Sequence, residues 1–243
     1  DNREYQESRS CRDWPRPRPL IPIHKWRVSN NYSSTCPICD TNQKLAFFQD
    51  AEREYYRCSC CDLIFVPRDY HLSEYEERAR YDSHNNDPDD PRYRNFFKQL
   101  LTPLLAILPR NSYGLDFGSG PGPTLSLMLE ECSHKVDLYD KFYAQNDAVF
   151  QNRYDFITAT EVVEHLSSPL KDLEVLVKIL HKDGILAIMT EIVLPQLDFT
   201  SWYYKNDPSH LCFYSEKTFV YLANLLGLEI VALSERVIIL KKA

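Results

Sequence analysis

The sequence predicts an α/β protein whose main sheet is parallel, preceded by a small metal-binding module. Two observations support this prediction. A glycine-rich turn at 118–122 lies between an apolar, strand-like run and a helix-like run, and two closely spaced cysteine pairs precede it. A strand, a glycine turn and a helix in this order are typical of the first unit of a doubly wound sheet. The 243 residues suffice for one domain of ordinary size and a small module.

Charge and composition limit the classes of partner. Residues 1–80 hold 13 basic and 13 acidic residues, whereas residues 81–243 hold 15 against 22, which accounts for the net charge of −7. An acidic C-terminal part argues against a broad phosphate-binding surface. No apolar run approaches the roughly 20 residues that span a bilayer, so we expect no membrane partner. We expect an intracellular protein, cytoplasmic or organellar, and in such a chain eight cysteines favour metal binding over disulfides.

Residues 1–35 are predicted to form an extended N-terminal arm. The first 27 residues carry seven basic and four acidic groups, together with four prolines at 15, 17, 19 and 22. Arms of this composition bind a protein partner or RNA. A solvated tail without a partner is the alternative.

The segment 36–70 is predicted to be a zinc ribbon. Cys36 and Cys39 form one C-x2-C pair, and Cys58 and Cys61 form a second after eighteen residues. Two such knuckles complete a closed tetrahedral Zn²⁺ site, which makes the metal structural. Cys60 adjoins the second pair, but only Cys61 leaves the two-residue gap. Strands are expected at 44–48, 55–57 and 62–66, and loss of this module should leave the larger sheet intact.

The segment 71–110 is predicted to be a helical linker. A charged helical pattern covers 71–81, and a polar loop rich in Asn, Asp and Pro follows it at 82–91. The stretch 93–108 has apolar residues at helical spacing.

The glycine turn is predicted to bind a nucleoside with a cationic group. The strand 113–117 leads into it and the helix 124–131 leaves it, so backbone N–H groups can meet a ligand. Asp116 would repel a pyrophosphate beside the turn and suits an amino group instead. Asp140 ends the next strand, eighteen residues past Gly122, where a carboxylate usually grips a ribose diol.

With these residues the chain resembles the class I S-adenosylmethionine-dependent methyltransferases, whose D/E-x-G-x-G-x-G signature matches Asp116, Gly118, Gly120 and Gly122. From about Cys36 onward it also resembles a bacterial-type group in which a zinc ribbon precedes this domain. The resemblance implies a Rossmann-like class I methyltransferase domain over 111–243 with S-adenosylmethionine as cofactor. The cofactor-binding residues that it implies are Asp116, Gly118, Ser119, Gly120, Gly122, Asp140, Thr160 and Glu161.

The resemblance also concerns the segments around the cofactor. It implies that the linker covers the cofactor, with Tyr81, His84 and Asn85 facing it, although a solvated linker is an equal alternative. Only thirteen residues separate Asp140 from Tyr154, where the next strand begins. We therefore expect the second helix and third strand of the sheet to be abbreviated.

A second cluster of polar residues follows the strand 155–159. If a helical turn begins there, Glu161, Glu164 and His165 share one face, which would suit a divalent metal ion. Together with His210, these residues form an E-x2-E-H…H pattern that resembles ubiquinone-pathway O-methyltransferases and enzymes that methylate the 3′ end of small RNAs. The resemblance implies that these four residues are catalytic and ligate a divalent ion. A base role for His165 or His210, or a purely structural role, is the alternative.

The C-terminal part is predicted to complete the sheet. A helix at 169–181 should end at Gly184, which would act as its C-terminal cap before a strand at 185–190. A capped helix over 215–227 and a hairpin of 229–233 with 237–241 should follow. Aromatic residues at 202–204, 213 and 214 are predicted to line an acceptor pocket beside His210 or, alternatively, to pack at the edge of the core.

These patterns together predict methyl transfer from S-adenosylmethionine, with an oxygen atom as acceptor because of the Glu-His cluster. Two alternatives remain open. The chain could be an inactive binding or assembly factor that keeps this fold, or an RNA-modifying enzyme that holds RNA with its ribbon and arm. The acceptor itself is not identified by the sequence.

Overall fold

The computed structural model describes residues 35–83 and 87–243. The predicted arm, apart from Thr35, therefore lies outside the described residues, as do His84 and Asn85.

The described residues form ten strands and five α-helices. The strands are β1 (Lys44–Gln49), β2 (Glu54–Cys58), β3 (Ile64–Phe65), β4 (Tyr113–Phe117), β5 (Lys135–Tyr139), β6 (Tyr154–Thr160), β7 (Leu180–Met189), β8 (Cys212–Phe213), β9 (Leu228–Leu233) and β10 (Val237–Lys242). The helices are α1 (Glu74–Asp82), α2 (Pro91–Leu105), α3 (Thr124–Glu131), α4 (Pro169–Ile179) and α5 (Glu216–Leu226).

The larger sheet is the predicted Rossmann-like sheet. Its strand order is β5-β4-β6-β7-β10-β9, in which β5, β4, β6 and β7 are parallel. The C-terminal hairpin β9–β10 pairs antiparallel with β7, as predicted. The Ser215 capping box and the left-handed C-cap Gly227 of α5 are also confirmed.

The segment after β5 is abbreviated, as the sequence predicted. Between β5 and β6 the described chain forms a single bridge, Asp140–Ala144, and one 3₁₀ turn, Asp147–Gln151. As a result β5 is the edge strand of the sheet.

The smaller sheet joins the cysteine module, residues 36–66, to the rest of the protein. Strands β1, β2 and β3 are antiparallel, as predicted for the ribbon. A fourth strand, β8, comes from the distant segment before α5 and pairs with β3. Ile38 and Leu63 belong to the same apolar cluster as Leu115 in the larger sheet. Because the two sheets share a core, we no longer expect loss of the module to leave the larger sheet intact.

The prediction that Gly184 caps α4 is wrong. Helix α4 ends at Ile179 and β7 begins directly at Leu180, so Gly184 lies inside that strand. The register between β6 and β7 shifts at this point, and Asp183 adopts a positive φ of 61° there. A Cβ atom at Gly184 would lie 2.9 Å from the His181 carbonyl oxygen. The glycine therefore permits a close backbone approach in an irregular strand.

Helices α1 and α2 precede the larger sheet, as the linker pattern predicted. Ser73 and Glu76 form a capping box at the start of α1, a helix with no buried residue. Helix α2 buries Phe97, Leu100, Leu101 and Leu104. Within the described ranges, no helix has the length and apolar character needed to cross a membrane.

Candidate functional site

The glycine turn folds closely over the end of β5. The N–H groups of Gly118 and Ser119 donate to the Tyr139 carbonyl at 2.8 and 3.2 Å. Gly118 and Gly120 have positive φ values of 78° and 64°. A Cβ atom on Gly118 would lie only 2.2 Å from Cγ2 of Val162. Glycine at 118 is therefore required by both the backbone conformation and the packing.

Asp140 ties the glycine turn to the loop that follows β5. Its Oδ2 accepts the Gly120 N–H at 3.0 Å, and its Oδ1 accepts the N–H groups of Phe142 and Tyr143 at 2.8 and 3.0 Å. A carboxylate offers about four lone-pair sites, so one remains for a ligand hydroxyl.

Asp116 is buried beneath the same turn. Its two oxygens accept hydroxyl hydrogen bonds from Thr158 and Ser126, both at 2.7 Å. Burial raises its pKa, while these two hydrogen bonds lower it. The carboxylate thereby links β4 to β6 and α3, and Asp116 also lines the cavity described next.

One cavity of about 620 Å³ brings the predicted cofactor residues together. This volume is within the range of ligand-binding pockets. The cavity is lined by all eight of the implied cofactor residues, namely Asp116, Gly118, Ser119, Gly120, Gly122, Asp140, Thr160 and Glu161. His165 and His210 also line it, as do Tyr81 of α1 and Tyr93 of α2. Tyr81 thus lines the same cavity as the predicted cofactor residues.

Polar contacts hold α1 over this cavity. Arg80 forms an ion pair with Asp207 at 2.7 Å, and Lys141 forms one with Glu77 at 2.6 Å. The ring of Tyr81 packs edge-on against His165, with 5.2 Å between centroids. The helix therefore covers the site without burying a side chain of its own in the core.

The predicted helical turn through Glu161 is wrong. Glu161 has a positive φ of 53°, and only Val163–His165 form a 3₁₀ turn. The Glu161 carboxylate accepts hydrogen bonds from Arg236 and Tyr204, each at 3.3 Å. A non-glycine residue in this conformation is strained, and such strain is concentrated at functional sites.

Three of the four predicted cluster residues converge. Glu164, His165 and His210 each offer one ligand atom, and these atoms lie within 4.8 Å of one another. The two imidazole centroids are 4.7 Å apart. Glu161 does not belong to this group, because Arg236 and Tyr204 hold its carboxylate. The predicted four-ligand set is therefore corrected to three residues.

Backbone carbonyls determine the tautomer of both histidines. Nδ1 of His165 lies 3.0 Å from the Ser209 oxygen, and Nδ1 of His210 lies 2.7 Å from the Tyr204 oxygen. A carbonyl oxygen can only accept, so each Nδ1 carries the proton and donates. Each Nε2 is then left with a free lone pair, the form in which histidine binds a metal or accepts a proton.

Burial perturbs all three groups of the cluster. It lowers the pKa of His165 to about 4 and that of His210 to about 3, so both are neutral near pH 7. Burial and the neighbouring Glu161 raise the pKa of Glu164 to about 8. Glu164 is fully buried; its Oε1 accepts the Tyr204 hydroxyl at 2.5 Å, while its Oε2 has no partner among the described residues. A buried oxygen without a partner indicates a missing proton, ligand or ion.

The four predicted zinc ligands also converge. The Sγ atoms of Cys36 and Cys61 are 3.4 Å apart, as are those of Cys39 and Cys58, and all four lie within 4.8 Å of one another. These distances are far longer than a disulfide bond of about 2.05 Å. The Cys61 N–H points at Cys58 Sγ from 3.5 Å, which is typical of a knuckle. Cys61 rather than Cys60 completes the group, as the spacing predicted.

Two residues of the site, Arg236 and Tyr204, have roles that no sequence pattern indicated. Arg236 binds Glu161 at 3.3 Å and Glu191 at 2.5 Å, and Tyr204 donates to Glu164. Arg236 lies between the strands of the C-terminal hairpin, where a basic residue is ordinarily solvated, so the sequence offers no signal for its role. Tyr204 was predicted only as an aromatic wall.

Comparisons with known proteins agree with this geometry. A family model described as a methyltransferase domain matches residues 90–233. A search of curated proteins finds no match. Among solved structures, the chain is similar to 1,6-didemethyltoxoflavin-N1-methyltransferase from Burkholderia thailandensis, which holds S-adenosylhomocysteine and 1,6-didemethyltoxoflavin. The identity is 17% over 82% of this chain and 99% of that chain, with a TM-score of 0.52.

Two further structures are more distantly similar. Magnesium protoporphyrin IX methyltransferase from Synechocystis PCC 6803 is 15% identical over 72% of this chain and 98% of that chain, with a TM-score of 0.48. Mitomycin 7-O-methyltransferase is 13% identical over 64% of this chain, with a TM-score of 0.47, and this chain covers 59% of its length. At 17% identity, the likeness to the Burkholderia thailandensis enzyme concerns the fold alone.

Proposed function

The chain belongs to the methyltransferase domain family, since the family model matches residues 90–233 of 243, and on this premise we propose that it transfers a methyl group from S-adenosylmethionine to an oxygen acceptor. One observation carries the choice of acceptor. The neutral imidazoles of His165 and His210 and the buried carboxylate of Glu164 converge beside the cavity that the glycine turn lines. Such a group is suited to binding and activating a hydroxyl.

The glycine-turn cavity is the proposed cofactor site. Asp116 would face the cationic amino group of the cofactor, and the free lone pair of Asp140 would accept a ribose hydroxyl. The buried Oγ of Ser119, also in this turn, has no partner among the described residues and is available to the ligand. Family membership and these unsatisfied groups favour an active enzyme over an inactive assembly factor.

We propose that Glu164, His165 and His210 hold a divalent metal ion. The donor set fits, because one ligand atom from each of these residues lies within 4.8 Å of the other two, and Glu164 keeps one oxygen without a partner among the described residues. Backbone carbonyls orient both rings and leave each Nε2 with a free lone pair. A bound ion would lower the pKa of an acceptor hydroxyl. A direct base role is less favourable, because imidazoles with pKa values of about 4 and 3 are weak bases at neutral pH.

In the proposed reaction the acceptor oxygen attacks the methyl carbon of the sulfonium. A carbon–oxygen bond forms and a carbon–sulfur bond breaks, so the cofactor leaves as neutral S-adenosylhomocysteine. The acceptor proton goes to a base of the cavity, for which Glu161 is suited, since burial raises its pKa to about 7 against the lowering effect of Arg236. The remaining residues contribute position and exclusion of water.

Calorimetry with S-adenosylmethionine tests the cofactor site, and Mn²⁺ binding tests the cluster. Mn²⁺ is chosen because it prefers oxygen and nitrogen ligands to thiolates. We expect one bound Mn²⁺ in the unmutated protein, lost in His210→Gln and retained in His181→Gln, whose histidine is exposed. Cofactor binding without Mn²⁺ binding would leave direct proton abstraction as the mechanism. Absence of cofactor binding would refute the proposed activity.

We further propose that Cys36, Cys39, Cys58 and Cys61 hold a structural Zn²⁺. Tetrahedral coordination with bonds of about 2.3 Å separates sulfurs by about 3.8 Å. The observed cluster is close to this arrangement, and four protein ligands leave no open position for chemistry. Elemental analysis of the purified protein should give one zinc per chain. Zinc-free protein with an intact fold would refute the assignment.

A further inference from the structure

Arg53 connects the cysteine module to the methyl-transfer site. It lies in the turn between β1 and β2, yet only 6% of it is exposed. Its guanidinium donates to the carbonyl oxygens of four residues of the loop 205–210. These acceptors are Lys205, Asp207 at 2.8 Å, Pro208 at 3.1 Å and His210 at 3.0 Å.

The remaining donor of Arg53 is also engaged. Nε donates to the Tyr55 hydroxyl at 2.8 Å, and that hydroxyl donates to Asp50 at 2.8 Å. Among the described residues, Arg53 forms no ion pair with a carboxylate. Burying a cation against neutral carbonyls is costly, so stability alone does not explain the choice of arginine. A rigid planar fork is suited to holding several acceptors in one geometry.

Two of the carbonyls that Arg53 does not bind in this segment orient the two site histidines. Within 204–210, the Tyr204 oxygen accepts from His210 Nδ1 and the Ser209 oxygen accepts from His165 Nδ1. Arg53 binds the carbonyls of Pro208 and His210 on either side of Ser209, and that of Lys205 directly after Tyr204. The Arg53 guanidinium therefore constrains the backbone next to the Tyr204 and Ser209 carbonyls, which accept the histidine hydrogen bonds.

We propose that Arg53 is a positioning residue for the methyl-transfer site. It acts through the loop 205–210 to keep Nδ1 of His165 and His210 protonated and both Nε2 lone pairs free. This inference rests on the proposed function, but the tautomers can be tested without it. It also gives the cysteine module a role in the site beyond stability.

The test is an NMR measurement of the histidine ring nitrogens in the full chain. In the unmutated protein, both rings should show the Nδ1–H tautomer. In Arg53→Lys, which keeps the charge and loses the fork, the pure Nδ1–H signals of His165 and His210 should be lost. The dissociation constant of S-adenosylmethionine should change less than about twofold, because Arg53 does not touch the cofactor cavity. Retention of both tautomers in this variant would overturn the proposal.

Arg57→Lys is the matched control. Arg57 lies in β2 of the same module and binds Asp62 through two hydrogen bonds of 2.8 Å, away from the loop. It should keep both Nδ1–H signals, and an equal loss in this variant would overturn a specific role for Arg53. If Arg53→Lys does not fold, Tyr55→Phe replaces it. This variant removes the hydroxyl that accepts from Arg53 Nε and that also donates to Asp50 at 2.8 Å and to the Lys205 carbonyl of the loop at 3.4 Å. Unchanged ring signals in Tyr55→Phe would then overturn the proposal.

If methylation fails with every acceptor tried but the tautomers respond as expected, the positioning role stands and only the proposed activity fails.

Discussion

Replacing Gly118 with alanine should damage the fold and the cofactor site in a predictable way. Gly118 has a φ of 78°, and a Cβ atom there would lie 2.2 Å from Cγ2 and 3.0 Å from Cγ1 of Val162. The left-handed conformation costs an alanine about 1–2 kcal/mol. Forcing a methyl group into a packed region costs about 1–3 kcal/mol more. The expected destabilisation is therefore about 2–5 kcal/mol.

Gly227 provides the matched control for this experiment. Its φ of 65° is similar, but a Cβ atom added there would have no other atom within 4 Å. Gly227→Ala should therefore cost only the conformational part, about 1–2 kcal/mol. Changes in unfolded-state entropy are the same for both substitutions and cancel in the comparison.

Urea denaturation of both variants measures the difference, and calorimetry measures the affinity for S-adenosylmethionine. Gly118→Ala should be the less stable variant by about 1–3 kcal/mol, the overpacking part alone, and should bind the cofactor more weakly. In a Val162→Ala background, which removes both Cγ atoms, the cost of Gly118→Ala should fall toward that of Gly227→Ala. Equal costs for the two glycine substitutions, or no relief from Val162→Ala, would refute the packing argument.

Three further predictions concern charge, pH and metal. Asp140→Ala should weaken S-adenosylmethionine binding roughly 10- to 100-fold, because a charged hydrogen bond contributes about 1.5–3 kcal/mol. Unchanged affinity in calorimetry would show that another residue binds the ribose. Burial raises the pKa of Glu164 to about 8 from 4.5, so its contribution to stability is present below pH 4.5 and is lost as the pH rises through 8. Without added divalent ions, Glu164→Gln should therefore gain a few kcal/mol over the unmutated protein between about pH 5 and pH 9 in urea denaturation, and a pH-independent difference would contradict this. Cys61→Ser should lose zinc and lower the melting temperature of the whole chain, because both sheets share a core. Replacement of the exposed Cys132 with serine should do neither. A loss of structure confined to the cysteine module would show that the module folds independently.

Local sequence signals were sufficient for several parts of the site. The glycine spacing predicted the turn correctly. Residues 118 and 120 have positive φ values, and only glycine adopts such values without strain. The cysteine pairs located their cluster because each knuckle is a local structure. His210 was predicted from a resemblance, and the structure brings it to Glu164 and His165.

Other parts of the site could not be predicted from local patterns. The assumed helical turn through Glu161 did not form, since its backbone N–H donates to the Met189 carbonyl of β7 at 2.8 Å and its φ is positive. Its carboxylate accepts from Arg236, which lies far away in sequence, and from the hydroxyl of Tyr204. Gly184 was misassigned because a glycine after a helix is typical of a cap, whereas here it permits an irregular strand pairing. Both errors arose where contacts across the sheet outweighed local preference.

The sequence by itself was sufficient to predict the parallel α/β sheet, the abbreviated segment after Asp140, the glycine turn and the four-cysteine group, since each is signalled by motifs of residues close together along the chain. The tertiary structure alone decided that β8 pairs with β3, that Arg53 of the module binds the loop of His210, and that backbone carbonyls set both histidine tautomers. These contacts join residues far apart in sequence, and backbone carbonyls carry no residue identity that a sequence pattern could record.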